Sequence, residues 1–203
     1  MKLPRPYISP SQFTLFWSDP RKYYLDYYFV RNDKPTVKMT FGTIFQLAWC
    51  DPAYDYVKAL REAGYTPDYA RVIRTALEHP ATIKVPKRYT ERKMRAKGLG
   101  LLHPALVILD GLKLEETMTV ENKMGVVWNQ KRCDEDVQLG FQDLVFYLKY
   151  GKAPKLALQS FNSRTGIPTV LYTRRTMAQR KALVRRINDM VTLIKAGDFN
   201  PKV

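Results

Sequence analysis

Apolar residues recur along this chain with two spacings, and the change from one to the other sets out its elements. Ser9-Pro10-Ser11 can cap a helix and Asp19-Pro20 interrupts or restarts it, so residues 9 to 29 read as two short helices. A polar connection, 31 to 38, leads to an apolar helix from Phe41 to Trp49, with Gly42 near its start. Asp51-Pro52 breaks or kinks that pattern. Tyr54 to Ala63 resumes it, with apolar residues at 54, 57, 59, 60 and 63, and Gly64 is a plausible end. A further helix is predicted from about Asp68 to Glu78, stopped by His79-Pro80.

The spacing then shortens. Gly98-Leu99-Gly100 is a pivot, and Leu106 to Leu109 is a continuous apolar run ending at Asp110-Gly111, a pair suited to a tight bend. From Thr117 to Lys123 the chain alternates, with 117, 119, 121 and 123 on one strand face and Met118 and Val120 on the other. An antiparallel return would bring Asp110 beside Glu121 and Lys123. Asp134-Glu135-Asp136 is an acidic helix start leading into residues 137 to 150, where Gln138 and Gln142 fall one turn apart. Gly151 and Pro154 end that helix. A buried strand, 155 to 161, a turn, 162 to 168, a partner strand, 169 to 173, and a final helix, 175 to 196, follow. The last helix carries an apolar stripe, Val184, Ile187, Val191 and Ile194, beside Arg180, Lys181, Arg185 and Arg186. It suits docking on a sheet better than a membrane surface. No internal repeat or low-complexity segment is present. Helices, a central hairpin, a helix, two strands and a helix predict α/β or α+β layering in a single domain of 203 residues.

Charge narrows the partner. Lysine and arginine total 34 against 19 acidic residues, a net charge of +15 that favours a polyanion, nucleic acid first. The 84 to 97 segment holds seven basic residues against Glu91 alone. It reads either as a solvated flap whose Lys84, Lys87, Arg88, Arg92, Lys93, Arg95 and Lys97 contact phosphates, or as a surface helix. The aromatic cluster Tyr23, Tyr24, Tyr27, Tyr28 and Phe29 suits packing or stacking on bases, and packing is the commoner use. No run reaches the roughly 18 apolar residues of a membrane span, and the N-terminus lacks a signal-peptide core, so an intracellular, cytoplasmic protein without membrane attachment is expected. Cys50 and Cys133 belong to no CxxC pair. His79 and His103 each adjoin a proline and read as boundary residues. No nucleotide-triphosphate loop is present.

Phosphodiester hydrolysis needs an activated water, neutralised phosphate oxygens and a stabilised leaving oxygen, all of which a hard divalent cation can supply. Asp110 and Glu121 fit as its carboxylates. Lys123 fits as the group that holds the attacking water and stabilises phosphate charge, with a lowered pKa or as a cation.

The ordered residues resemble the PD-(D/E)XK nucleases, in particular the RecB-like branch that includes AddB and the CRISPR-associated iron-sulfur exonucleases. Ser9-Pro10-Ser11-Gln12-Phe13 with Asp19-Pro20-Arg21-Lys22-Tyr23 is similar to that family's N-terminal serine-rich helix and Cys-Pro-x-x-aromatic segment. Gly42-Thr43-Ile44-Phe45-Gln46 resembles Gly-Thr-x-x-His. Asp110 and Glu121-Asn122-Lys123 match the metal-binding and catalytic motifs, Gln138-Leu139 with Gln142 resembles the glutamine helix, and Ala196 to Pro201 looks like the exit from the last helix.

The resemblance implies a restriction-endonuclease-like core. In it a central mixed β-sheet is flanked by helices, with a helical N-terminal part (1–80), a basic flap (81–100) and a catalytic core (101–203). It implies Asp110 and Glu121 as metal ligands with the Asn122 carbonyl, Lys123 assisting the nucleophile, and Gln138 positioning the site or DNA. Mg²⁺ or Mn²⁺ is the implied cofactor. Asp19 replaces the cluster cysteine, so no iron-sulfur cluster is expected; Gln46, an uncharged and poorer metal ligand, replaces the family histidine, and Gln142 stands where an aromatic residue is usual. The implied function is a metal-dependent deoxyribonuclease, an exonuclease in recombination, repair or processing, acting on single-stranded DNA or linear duplex ends. A helicase or recombination partner and a phage or other mobile-element source fit it. A nuclease-fold protein that only binds nucleic acid or serves in an assembly, and an RNA-processing enzyme, remain the alternatives.

Overall fold

In a computed structural model, residues 1–29, 37–125 and 128–199 are described. Their elements, in order, are α1 (Pro10–Ser18), α2 (Pro20–Tyr28), α3 (Val37–Cys50), α4 (Tyr56–Glu62), α5 (Pro67–Glu78), a 3₁₀ turn (Lys87–Tyr89), β1 (Thr90–Ala96), β2 (Ala105–Lys113), β3 (Met118–Gly125), α6 (Gln130–Glu135), α7 (Val137–Tyr150), β4 (Lys155–Asn162), β5 (Pro168–Thr173) and α8 (Met177–Ala196). The polar connection expected at 31–38 and the helix exit at 196–201 lie partly outside the described residues.

Five strands form one sheet in chain order, β1-β2-β3-β4-β5. The β3–β4 pair is parallel and the other three are antiparallel. A parallel neighbour cannot be reached by a tight turn, so α6 and α7 carry the chain from β3 back to the start of β4. Because strand side chains alternate between faces, Met118, Val120, Ala157 and Phe161 pack with α3 and α5 on one side. On the other side Val107, Leu109 and Leu112 pack with Phe13 and Phe16 of α1, Phe141 and Leu144 of α7, and Val184, Ile187 and Val191 of α8. The stripe on α8 is therefore buried in the fold. Every residue of β4 from Leu156 to Phe161 is buried, as a strand covered on both faces requires. Among the described residues no helix is long and apolar enough to cross a membrane.

The N-terminal helices are divided between the faces. α1 and α2 join the α7–α8 side, where Tyr23 packs against Phe16 and Tyr27, while α3 to α5 cover the other. Ser9 caps α1 through a reciprocal box with Gln12, and Ile8 makes a parallel bridge to Ala105 that ties this end of the chain to β2.

Three elements depart from expectation. The 84–97 segment is neither a flap nor a helix: after one 3₁₀ turn it becomes β1, paired with β2 from Thr90↔Gly111 to Ala96↔Ala105. Only Thr90 and Met94 of β1 are buried. An edge strand leaves its remaining side chains in water, so the charge run concealed the two-residue period. Asp110-Gly111 is mid-strand, and the bend comes later, where Thr117 N–H closes on the Leu114 carbonyl at 3.0 Å and Thr117 has φ 49°. α3 begins at Val37, four residues before Phe41, and Gly42 lies within it.

Candidate functional site

The sheet opens where the chemistry-bearing residues lie. β2 and β3 pair at Lys113↔Met118, Leu112↔Thr119 and Gly111↔Val120, and the ladder stops there. One residue further, Asp110 stands across from Glu121, and its Oδ2 accepts the Asn122 N–H at 2.7 Å in place of a strand carbonyl. On the opposite side of β2, Glu91 faces Asp110 in the register but makes no ladder pair and has φ 50°. The break also reverses which way β2 faces. Leu109 and Leu112 both reach the α7–α8 core, although they are three residues apart, while Gly111 lies against Trp49 and Val85. A Cβ at Gly111 would fall 2.8 Å from each of those side chains, so glycine is required there for close approach.

β3 and α7 complete the group. Glu121 is 2% exposed, and each of its oxygens has a donor: Lys123 Nζ reaches Oε1 at 2.5 Å and Gln142 Nε2 reaches Oε2 at 2.6 Å. Lys123 also donates to Gln138 Oε1 at 2.7 Å, and Thr119 Oγ1 donates to Gln142 Oε1 at 3.1 Å. The two glutamines, one turn apart, thus face the strand positions 119, 121 and 123. α7 starts at this point because Asp136 caps it, accepting the Leu139 N–H at 2.8 Å. A buried fork from Arg180 of α8 to Asp143, at 2.6 and 2.9 Å, holds its rotation.

Burial, then the Glu121 charge, pushes the Asp110 carboxyl well above the usual carboxylate range, against the opposing pull of the Asn122 N–H and Lys123. Burial also raises Glu121, opposed by Lys123 and Gln142. For Lys123, burial alone would lower the amine, but Glu121, Asp110 and Asp136 outweigh it and the net direction is up. Of the two states expected for Lys123, the surroundings favour the cation. One lysine faces two carboxylates, and no second donor to Asp110 is found among the described residues. This set of hard oxygens with surplus negative charge fits a divalent cation of the Mg²⁺ type. Among the described residues no group of three or more His, Cys, Asp or Glu could hold a metal, so backbone oxygen or water would have to complete any shell.

On the other side of β3 a chain of amides crosses the sheet. Gln159 Nε2 donates to Asn122 Oδ1 at 2.9 Å, Asn122 Nδ2 to Gln46 Oε1 at 3.4 Å, and Gln46 Nε2 to Glu91 Oε1 at 2.9 Å. Gln46 therefore has both ends of its amide engaged. Sequence reasoning gave Glu91 no place beside these residues, and it named Gln142 on the glutamine helix without giving it a role. The signals were present: Glu91 is the single acid of the basic run, and Gln142 shares a helix face with Gln138.

The basic residues do not converge on this group. Arg92, Lys93 and Arg95 project from β1, with Arg92 next to Glu91, Lys93 6.0 Å from the Tyr7 ring centre and Arg95 donating to the Pro6 carbonyl at 2.7 Å. Lys87 pairs with Asp51 and Arg88 lies over the Tyr89 ring. Gln138 borders two adjoining depressions of about 370 and 650 Å³. Arg5, Tyr7 and Ser9 line one, Trp128, Lys131 and Arg132 the other, and Ser11 both. Cys50 and Cys133 are buried, and burial pushes each thiol up to about 11. His79 ends α5, and His103 sits 3.0 Å from the Arg5 carbonyl, so neither belongs to the site.

No family model matches the chain, and no curated protein does. Among solved structures, the chain is similar to a protein of Eubacterium rectale provisionally named an exonuclease. The TM-score is 0.66 at 12% identity, and the match covers 95% of this chain and 82% of that one. The fold expected from the sequence, a mixed sheet flanked by helices with a helical N-terminal part, is thus the observed one and is shared with that protein.

Proposed function

We propose that the chain is a metal-dependent deoxyribonuclease that hydrolyses DNA phosphodiester bonds, with Asp110, Glu121, Lys123 and Gln138 as its working residues. The observation that carries this reading is the join of Lys123 to both Glu121 and Gln138 directly across from Asp110. Asp110 and Glu121, with the Asn122 carbonyl, would hold Mg²⁺ or Mn²⁺, which when bound supplies positive charge to phosphate oxygens and acidifies water. Lys123, kept cationic, presents N–H donors to the attacking water or a phosphate oxygen. Gln138 holds the lysine extended and Gln142 fixes the Glu121 carboxylate. The depressions on either side of Gln138, with Arg5, Lys131 and Arg132 at their walls, offer the phosphate backbone a path past the lysine, and β1 adds Arg92, Lys93 and Arg95. The likeness in fold to a protein named as an exonuclease supports the nuclease reading, to which we add end-directed cleavage in recombination or repair as part of the proposal.

A non-catalytic reading has one observation in its favour: both Glu121 oxygens are satisfied within the protein. Digestion of linear and single-stranded DNA with Mg²⁺ or Mn²⁺ separates the two. Lys123→Ala and Asp110→Asn should each lower the rate by about 10²-fold or more while binding persists. Wild-type and Lys123→Ala proteins that bind DNA equally and are both inert would sink the enzyme reading. Matched RNA in the same assay decides the sugar preference.

A further inference from the structure

Behind Asp110, on the α3–α5 side of the sheet, lies a cleft of about 430 Å³ that the reaction above does not use. Trp49 and Val85, the two side chains closed against Gly111, form part of its wall. Tyr54 and Tyr56 stand beside Trp49, and among the described residues none of these three rings packs against another aromatic ring. Arg74, Lys84 and Lys87 supply three cations. Lys87 pairs with Asp51, whereas Arg74 and Lys84 are exposed and have no ion pair among the described residues. Among the described residues Glu78 is the single acid in the lining. Trp49 is 7% exposed and its Nε1 has no hydrogen-bond acceptor among the described residues. A buried indole N–H seldom remains in that state without a reason.

We propose that this cleft binds one nucleotide of a single-stranded DNA, taking the base against Tyr54 and Tyr56 over a floor that includes Trp49, and the phosphate on Arg74, Lys84 and Lys87. Flat aromatic surface accepts any base by stacking, and cations in excess of acids select the polyanion that carries it. The volume lies within the roughly 300–1,000 Å³ range of small-ligand sites and suits one nucleotide rather than a duplex. Its position behind Gly111 places this contact one residue from Asp110, so a strand held there would be tethered at the catalytic group. The proposal rests on the nuclease reading for the choice of nucleic acid, but its test needs no cleavage.

Binding of a fluorescein-labelled oligothymidylate to the full-length protein in EDTA is measured by anisotropy across a salt series, beside a blunt duplex and free thymidine monophosphate. Tyr54→Ala/Tyr56→Ala should weaken oligothymidylate binding about tenfold, the loss of roughly 1.4 kcal/mol of stacking, and leave the duplex unchanged. Arg74→Gln/Lys84→Gln should flatten the salt dependence, by about 0.7 in the log–log slope for each phosphate contact removed. Trp49→Phe, which keeps a ring but removes the N–H, should remove the Trp49 share of the fluorescence quenching by the oligonucleotide and leave that of Trp17 and Trp128. Competition by thymidine monophosphate at similar concentration would assign the cleft to free nucleotide and overturn the strand-tethering proposal. Wild-type affinity and salt slope in folded tyrosine and Arg74/Lys84 variants, or no oligothymidylate binding by the wild type, would also overturn it. If the variants lose binding while the wild type cleaves nothing, this site stands and the nuclease reading falls.

Discussion

Gln142 Nε2 lies 2.6 Å from Glu121 Oε2, with both side chains buried, so the rotation of α7 and the aim of the carboxylate are one variable. Gln142→Leu preserves the bulk but leaves the Glu121 oxygen and the Thr119 hydroxyl without this partner. We expect about 1–3 kcal/mol of destabilisation, read as a lower urea midpoint, together with loss of cleavage. A variant as stable as the wild type would show that Gln142 is dispensable to Glu121.

The raised Asp110 carboxyl sets the direction of a pH effect. Below the ordinary aspartate range the group is neutral in the folded and unfolded chains and contributes nothing. As pH climbs through that range the unfolded chain ionises first, so stability falls until pH passes the raised folded value. Metal-free wild-type protein should therefore lose melting temperature relative to Asp110→Asn between acid and neutral pH, by a few degrees on the scale of about 2–4 °C per kcal/mol for a chain of this size. Mg²⁺ should restore the loss in the wild type and do nothing for Asp110→Asn. Parallel melting curves for the two proteins would refute the account.

Gly111→Ala places a methyl group 2.8 Å from the far edge of the Trp49 ring and 2.8 Å from Val85. Overpacking of this kind costs about 1–3 kcal/mol, and the displacement acts one residue from Asp110, so stability and cleavage should fall together. Trp49→Phe shortens the ring and should recover part of both. A double-mutant cycle in guanidinium measures the coupling, and strict additivity would rule out the clash.

Glu91 holds φ 50° without being glycine, a conformation that a non-glycine residue adopts at a cost of about 1–3 kcal/mol. Glu91→Gly relieves that strain while removing the oxygen acceptor of Gln46 Nε2, which keeps only Cys50 Sγ at 3.3 Å. The expected result is unchanged or slightly higher stability with slower cleavage, and Glu91→Ala, which keeps the strain, should be less stable than Glu91→Gly. The reverse order in thermal melts would show that the backbone here is relaxed.

The Asp110, Glu121, Lys123 group was legible because an alternating strand reveals its faces and an antiparallel return brings Asp110 to Glu121. The helix bearing Gln138 was legible for a similar reason, since its acidic cap and Gly151 bracket it. β1 was not, because an edge strand buries so little that Met94 and Thr90 alone carry the two-residue period through a run of charges. Gly111 misled through its usual role in turns, when its function is to let Trp49 and Val85 close on β2. Glu91 and the amide chain through Gln46, Asn122 and Gln159 join four elements far apart in sequence, a relation that only the sheet order supplies.

That sheet order, with each strand beside its predecessor in the chain, has a consequence for how the protein is made. Three of the four pairings join strands close in the chain and can form as each strand emerges from the ribosome, whereas β4 reaches β3 only after α6 and α7 have been made. Ile8 and α1 are synthesised first yet wait for Ala105, Phe141 and Val184, so the N-terminal end is the last part to dock. Its exposed aromatics are then the surface that a chaperone would need to shield during synthesis.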